Sequence, residues 1–253
     1  MAAAFSFACE GHRLAGWWRT PDGAAPARDT LLVFCHGLPS GAAPSPGDGG
    51  YPALAERFAA RGYPGLAFNF RGAGESEGDF SLGGWTRDLS ALLDHLERRD
   101  LVPHRRVVAV ASSAGALVAL WVAGDDPRIA GVAALAAPTD LASLGVLPAD
   151  AVLDHFRAIG LVRDPAFPPD PARWLAEFHE VRAEGRIGRI APRPILLVHG
   201  EDDPTVPVDH ALRLLRASEG AAELCRLPGA GHRLRLDPRA LDCVGDWLLR
   251  QFP

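Results

Sequence analysis

The chain has 253 residues, of which 48% are hydrophobic and 23% charged, and these numbers predict one domain, 1–253, with a sizeable core. The formal net charge of −5 argues against nucleic acid and anionic membranes as partners and favours a small-molecule substrate. All 26 basic residues are arginine, which excludes a pyridoxal Schiff base, a Walker A loop and a Ser–Lys dyad, because each requires a lysine amine.

The first predicted elements are two strands, 5–9 and 13–19, that form an antiparallel hairpin. Continuous apolar runs then predict strands buried on both faces, at 31–35, 66–70, 107–111, 129–136 and 195–198, and 222–227 is a further candidate strand. Helical periodicity between them predicts helices at 51–61, 82–98, 114–123, 210–218 and 238–251. This alternation is typical of an α/β fold with a mostly parallel central sheet and helices on both faces.

Residues 138–193 interrupt the alternation and are predicted to form a small helical cap inserted within the domain. Two short helices are expected there, around 150–159 and 171–183, on either side of a proline-rich stretch. An ordinary pair of packing helices is the alternative. Trp174 and Phe178 lie four residues apart on the second helix, and we expect them either to line a substrate pocket or simply to pack.

Two short motifs follow the first buried strands. His36-Gly37 comes directly after the run 31–35, and His36 is interpreted as a structural turn residue. Residues 71–76 read Arg-Gly-Ala-Gly-Glu-Ser, and a dinucleotide loop does not fit because Glu77 stands where the last glycine of that motif belongs. The segment is therefore predicted to be a tight structural turn, and no cofactor is expected.

A strand that runs through serine directly into a helix, residues 108–117, has the pattern of a nucleophile elbow. The elbow turn is strained and close to its neighbours, so the residues two before and two after the nucleophile must be small. Centring on Ser113 places Ala111 and Gly115 there, whereas centring on Ser112 places Val110 there. The spacing selects Ser113, although a helix N-cap serine is the alternative interpretation.

Two further strands end in loops that carry an acid or a histidine. The run 195–198 leads into Gly200-Glu-Asp-Asp203, and the run 222–227 leads into the glycine-rich loop that ends in His232. Each of these residues follows a predicted strand. Their order along the chain is Ser113, Asp203, His232.

From residue 31 to the C-terminus these motifs resemble the α/β-hydrolase superfamily, in its bacterial esterase and serine aminopeptidase-like branch. The resemblance implies that Ser113 is the nucleophile, that His232 is the general base and that Asp203 orients His232. It further implies an oxyanion hole formed by the backbone N–H groups of Leu38 and Ala114.

Two other aspartates are alternatives for the acid of this set. Asp202 precedes Asp203, and some relatives carry their acid after the preceding strand, where Asp140 stands here. The elbow itself departs from the Gly-x-Ser-x-Gly pattern, with Ala111 for the first glycine.

The resemblance implies a serine hydrolase that cleaves carboxylic esters of small substrates through an acyl-enzyme. An aminopeptidase or amidase uses the same triad and needs an acidic anchor for a free amine, for which Glu75, Asp79 and Glu177 are candidates. A non-catalytic ligand-binding protein of the same fold is the third alternative. Dehalogenases and epoxide hydrolases place an aspartate at the elbow, so Ser113 argues against both.

The remaining expectations concern the environment of the protein. The four cysteines, Cys9, Cys35, Cys225 and Cys243, show no metal-ligand spacing, so no metal is expected. Three of the four lie in or beside apolar runs, which predicts buried free thiols in a reducing compartment. With no signal-peptide pattern and no long apolar run, a cytoplasmic protein is expected. The apolar residues of the last helix, 247–249, fit either the core or the interface of a homodimer.

Overall fold

Eight strands form one sheet in the computed structural model, which describes residues 2–21, 27–41, 48–99 and 106–253. The strands are β1 (Ala2–Cys9), β2 (His12–Arg19), β3 (Thr30–Cys35), β4 (Gly65–Phe68), β5 (Arg106–Ser112), β6 (Ile129–Leu135), β7 (Ile195–Gly200) and β8 (Ala222–Leu227). Their order is β1-β2-β4-β3-β5-β6-β7-β8. The pairs β1–β2 and β2–β4 are antiparallel, and all other pairs are parallel.

Helices cover both faces of this sheet. They are α1 (Gly50–Ala59), α2 (Leu82–Arg98), α3 (Ala114–Ala123), α4 (Ala142–Gly145), α5 (Ala149–Ala158), α6 (Pro171–Glu180), α7 (Asp209–Ala217) and α8 (Pro238–Gln251). Side chains of α2 and α3 belong to one apolar cluster, and those of α1 and α8 belong to the other. Within the described ranges, no helix combines the length and the apolar character needed to cross a bilayer. The predicted α/β architecture is confirmed.

Strand β3 explains why the predicted strands read as unbroken apolar runs. Leu31 and Val33 face the α2–α3 cluster, whereas Leu32 and Phe34 face the α1–α8 cluster. Successive side chains of a strand point to opposite faces, so a strand covered on both sides needs apolar residues at every position.

The segment predicted as a cap, 138–193, lies between β6 and β7 and contains α4, α5 and α6. Helices α5 and α6 correspond to the two predicted helices, whereas the single turn α4 was not predicted. Phe156 of α5 and Phe178 of α6 stack at 6.3 Å and contact Phe80, which precedes α2. The segment is therefore joined to the α2 side of the molecule by an aromatic cluster.

A cysteine pair links β8 to α8. Cys225 and Cys243 form a disulfide, so the prediction of free thiols is wrong for these two residues. A separation of 18 residues without a CxxC motif gave no sign that the two elements lie side by side. Cys9 and Cys35 are free and buried, and burial raises the pKa of Cys9 to about 11. The inference of a reducing compartment from buried free thiols therefore depends on Cys9 and Cys35 alone.

The apolar end of α8 is divided between core and surface. Trp247 and Leu248 are fully buried in the α1–α8 cluster, whereas Leu249 is 48% exposed. Two of the three residues that also fitted a dimer interface are therefore core residues.

A buried ion pair connects the turn after β4 to α2. The Arg71 guanidinium donates from Nε and Nη2 to Asp88 Oδ1 at 3.0 and 2.8 Å, and the Arg71 backbone N–H donates to Asp88 Oδ2 at 2.9 Å. Both side chains are almost fully buried. A third partner, Glu10 of the β1–β2 hairpin, accepts from Arg71 Nη1 at 2.8 Å. The pair thus ties three parts of the chain together.

We expect Asp88→Ala to lower the free energy of unfolding by about 3–5 kcal/mol, because it leaves the Arg71 charge buried without its main partner. The double variant Arg71→Met, Asp88→Leu should lose much less, since it removes both charges. Urea denaturation at pH 7 measures both. Glu180→Ala, which breaks the exposed pair with Arg173, is the matched control and should cost about 0–1 kcal/mol. A cost for Asp88→Ala no larger than this control contradicts the prediction.

Candidate active site

Ser113 occupies a strained turn between β5 and α3. Its backbone has φ 53° and ψ −127°, a positive φ that is unfavourable for any residue with a Cβ. The Ser113 N–H donates to the Leu135 carbonyl at 2.9 Å, and its carbonyl accepts from the N–H groups of Ala116 and Leu117. The start of α3 and the end of β6 therefore hold the turn in place.

Two glycines allow this turn to approach the end of β3. A Cβ on Gly115 would lie 2.2 Å from the His36 carbonyl oxygen, and a Cβ on Gly37 would lie 2.8 Å from the Ser113 Cβ. Neither position therefore has room for a larger residue. The size requirement that selected Ser113 from the sequence thus has a direct steric cause.

The structure brings the three residues of the predicted triad together. Ser113 Oγ lies 3.1 Å from His232 Nε2, and His232 Nδ1 lies 2.7 Å from Asp203 Oδ2. A carboxylate only accepts hydrogen bonds, so Nδ1 carries the proton and donates to Asp203, which leaves Nε2 as an acceptor for the Ser113 hydroxyl. This is the arrangement that proton transfer from serine requires.

The Asp203 carboxylate is fixed by its own loop. Its Oδ1 accepts from the N–H groups of Thr205 and Val206 at 2.8 and 2.9 Å, and its side chain is fully buried. His199 Nε2 donates to the Val206 carbonyl at 2.8 Å, and this bond joins the same loop to the end of β7. Asp203 Oδ2 is therefore directed at His232 by bonds that do not involve His232.

The two alternative acids stand elsewhere. Asp202 is exposed. Asp140 accepts from the Ala142 N–H and from the Thr139 hydroxyl, both at 3.1 Å. Of the three candidate carboxylates, Asp203 alone contacts His232 in the part of the chain that the structure describes.

The expected oxyanion donors flank the serine. Ala114 is the first residue of α3, and Leu38 follows Gly37, whose backbone approaches Ser113. Among the described residues, neither the Leu38 N–H nor the Ala114 N–H has a hydrogen-bond acceptor. The N-terminus of a helix carries partial positive charge, so an anionic oxygen is favoured beside Ala114.

A cavity of about 460 Å³ opens above Ser113. Its described walls come from the ends of β3, β4 and β5, from the start of α1 and from the loop that carries His232. They are Trp17, His36–Ser40, Asp48, Gly50–Pro52, Ala67–Asn69, Ala73, Gly74, Ser112, Ser113 and His232–Arg235. The volume is within the range of small-molecule sites.

The two residues proposed for the pocket do not line this cavity. Trp174 and Phe178 are buried, and the Trp174 indole N–H donates to the Phe80 carbonyl at 2.9 Å. Their spacing on α6 does place both on one face, but that face packs against the residues before α2. We therefore correct their assignment from pocket lining to internal packing.

An ion pair in the cavity wall had no sequence signal of its own. Arg235 donates from Nη1 and Nη2 to the two oxygens of Asp48, both at 2.5 Å, and Asp48 also accepts from the Gly50 N–H at 2.9 Å. The hydrogen bonds from Arg235 lower the pKa of Asp48 to about 2. The sequence places Arg235 near the site only through its position three residues after His232. Its partner Asp48 lies 187 positions away, so no local pattern connects the two residues.

His36 has the structural role expected from the sequence. Its Nδ1–H donates to the Gly37 carbonyl at 2.8 Å, and its Nε2 accepts from the Phe70 N–H at 3.1 Å. Burial lowers the pKa of His36 to about 4, so the ring is neutral at pH 7. As for metals, the described residues hold no cluster of three or more His, Cys, Asp or Glu side chains that could bind one.

Comparison with known proteins gives consistent results. Residues 30–180 match the family described as the alpha/beta hydrolase fold. An uncharacterized protein from Mycobacterium tuberculosis, Rv2307c, is 30% identical over 237 residues, which are 92% of this chain and 72% of that protein. Among solved structures, the hydrolase GrgF from Penicillium sp. sh18 aligns with a TM-score of 0.77 at 20% identity, covering 100% of this chain and 99% of that one. An esterase domain from Rhodothermus marinus aligns with a TM-score of 0.72 at 21% identity, covering 100% of both chains.

The buried neutral His36 predicts a pH dependence of stability. Between about pH 6.5 and pH 4 the unfolded chain binds a proton at this histidine and the folded chain does not, so its contribution to stability is complete above pH 6.5 and is lost as the pH falls. His36→Gln keeps a donor and an acceptor but does not titrate. We expect the stability advantage of the wild type over this variant to shrink by about 2–3 kcal/mol from pH 7 to pH 4.5.

Urea denaturation at the two pH values tests this expectation. His155→Gln is the control, because His155 is exposed on α5 and its replacement should leave the pH dependence of the wild type in place. The prediction is contradicted if the difference in unfolding free energy between the wild type and His36→Gln is the same at the two pH values.

Proposed function

The chain belongs to the α/β-hydrolase fold family, and from this premise we propose that it is a serine hydrolase that cleaves carboxylic esters of small substrates. One observation carries the proposal: Ser113, His232 and Asp203 form a continuous chain of contacts of 3.1 and 2.7 Å at the floor of a cavity. A nucleophile, a base and a group that orients the base are the requirements of acyl transfer.

In the first step Ser113 Oγ attacks the ester carbonyl carbon while His232 Nε2 takes the hydroxyl proton. The resulting imidazolium is stabilised by the buried Asp203 carboxylate, which also keeps Nδ1 protonated. The carbonyl oxygen becomes an oxyanion and accepts from the Leu38 and Ala114 N–H groups. Those donors are fixed before the substrate arrives, so little reorganisation is needed.

Collapse of the tetrahedral species then breaks the bond to the alcohol. His232 returns its proton to the leaving oxygen, which leaves an acyl ester on Ser113. A water molecule next loses a proton to His232 and attacks the acyl carbon. The second collapse releases the carboxylic acid and restores the Ser113 hydroxyl.

The charges around the cavity favour esters over substrates with a free amine. In the described residues, Asp48 is the one acid of the cavity wall apart from the triad, and both of its oxygens are occupied by Arg235. The candidate amine anchors Glu75, Asp79 and Glu177 do not line the cavity. An ammonium group therefore has no acidic partner there, which argues against an aminopeptidase.

We expect Ser113→Ala to lower kcat for p-nitrophenyl acetate by at least about 10³-fold and to abolish labelling by a fluorophosphonate probe, because the attacking oxygen is gone. Asp203→Asn should lower kcat by a comparable factor by favouring the wrong tautomer of His232. Absorbance at 405 nm and gel fluorescence are the readouts.

Ser90→Ala provides the matched control, since Ser90 lies on α2 outside the cavity wall and, among the described residues, its hydroxyl bonds to the Thr86 carbonyl alone. It should hydrolyse and label like the wild type. Hydrolysis and labelling that survive in Ser113→Ala are incompatible with the proposal. A wild-type protein that neither labels nor hydrolyses supports the non-catalytic alternative.

A further inference from the structure

Asn69, the only asparagine in the chain, stands in the cavity wall directly after β4. Its backbone is fully engaged: the N–H donates to the Ala15 carbonyl at 2.9 Å, and the carbonyl accepts from the Ser76 hydroxyl at 2.6 Å. These bonds fix the end of β4 without the side chain. A structural role of the backbone therefore does not explain why this position carries an amide.

The Asn69 carboxamide makes no hydrogen bond to any residue that the structure describes. A carboxamide offers two N–H donors and an oxygen with two lone pairs. Water can satisfy these groups while the cavity is open. A bound hydrocarbon would displace that water and leave the amide unpaired, at a cost that an oxygenated group avoids.

The side chain is held in place by the turn beside it. A Cβ on Gly74 would lie 2.0 Å from Asn69 Nδ2, so the amide rests directly on the glycine backbone. Arg163 in turn fixes this turn by donating to the carbonyls of Gly72 and Gly74 at 2.7 and 2.9 Å and of Ser76 at 3.1 Å. The amide therefore has a fixed turn on one side, which limits the conformations from which binding must select.

The sheet places Asn69 on the acyl side of the reaction. Strands β4 and β5 flank β3, so the ends of β4 and β5 are two strand spacings, about 10 Å, apart. His232 reaches Ser113 from β8, at the other side of the sheet, and must protonate the leaving alcohol. The alcohol therefore lies towards His232, and the acyl chain extends towards Asn69.

We propose that Asn69 is a substrate-binding residue that selects esters whose acyl chain carries a hydroxyl or keto oxygen, about four to six bonds beyond the reacting carbonyl for a ~10 Å spacing. The inference rests on the proposed ester hydrolysis and names its substrate class. A neutral oxygen fits better than an amine, because Asp48 is neutralised by Arg235.

The test compares p-nitrophenyl hexanoate with its 5-oxo and 6-hydroxy derivatives, each rate being divided by that of uncatalysed hydrolysis. We expect the wild type to prefer the two oxygenated esters by about 10-fold in kcat/KM. In Asn69→Leu this preference should fall to about one, and the rate on plain hexanoate should rise, because an unpaired polar group has left the wall.

Asn69→Asp is the matched variant, nearly identical in shape and without the N–H donors. A keto oxygen can only accept, so its preference should be lost, whereas a hydroxyl can donate to the carboxylate, so its preference should persist. Thermal unfolding of each variant establishes that the fold is kept. A loss of both preferences in Asn69→Asp, or of neither, contradicts direct bonding to the amide.

Labelling with the fluorophosphonate and hydrolysis of p-nitrophenyl acetate separate this inference from the proposed function. Labelling and acetate hydrolysis can be intact while the wild type shows no preference for the oxygenated esters, or while Asn69→Leu shows the same preference as the wild type. In either case Asn69 is a hydrated wall residue and the inference is wrong. If labelling and hydrolysis fail, the proposed function fails and the inference with it.

Discussion

The close approach of the β5–α3 turn to the end of β3 is the constraint on which the rest of the site depends. Ser113 reaches the edge of the sheet only because Gly115 lets α3 start against the His36 carbonyl and Gly37 passes beside the Ser113 Cβ. The strain of a positive φ at Ser113 is balanced by hydrogen bonds on both sides of the turn. The same approach brings the Leu38 and Ala114 backbone towards the Ser113 hydroxyl, so one steric solution arranges both the proposed nucleophile and the proposed oxyanion donors.

Loops at a sheet edge keep such an arrangement only if they are fixed independently of the substrate. Buried polar contacts do this here: Asp203 is held by the N–H groups of its own loop, and Arg71 joins the turn after β4 to Asp88 of α2. The Asp48–Arg235 pair links the start of α1 to the segment that follows His232. The Arg71–Asp88 and Asp48–Arg235 contacts join different elements of the chain, so the precision of the site is a property of the folded domain.

The fold and the meeting of Ser113, His232 and Asp203 could be predicted because both follow from local rules. Unbroken apolar runs identify strands covered on two faces, and small residues around Ser113 identify a turn that has no space for larger ones. The Cys225–Cys243 disulfide and the packing role of Trp174 could not be predicted in this way. Periodicity says which residues share a face of an element, but the partner of that face is decided by tertiary packing.

Residues of the cavity wall are difficult to identify from the sequence, and the reason is physical. Catalytic groups must contact each other, so the residue types and their order along the chain follow a recognisable pattern. A residue of the cavity wall needs only to contact the substrate, so it follows no such pattern. Asn69 illustrates the difference, because its neighbours read as a structural turn and only the absence of a bonded partner for its amide among the described residues distinguishes it. A polar group that folding leaves without a bonded partner in a cavity wall is a candidate for binding a substrate. Specificity is therefore read most directly from the hydrogen bonds that a fold does not make.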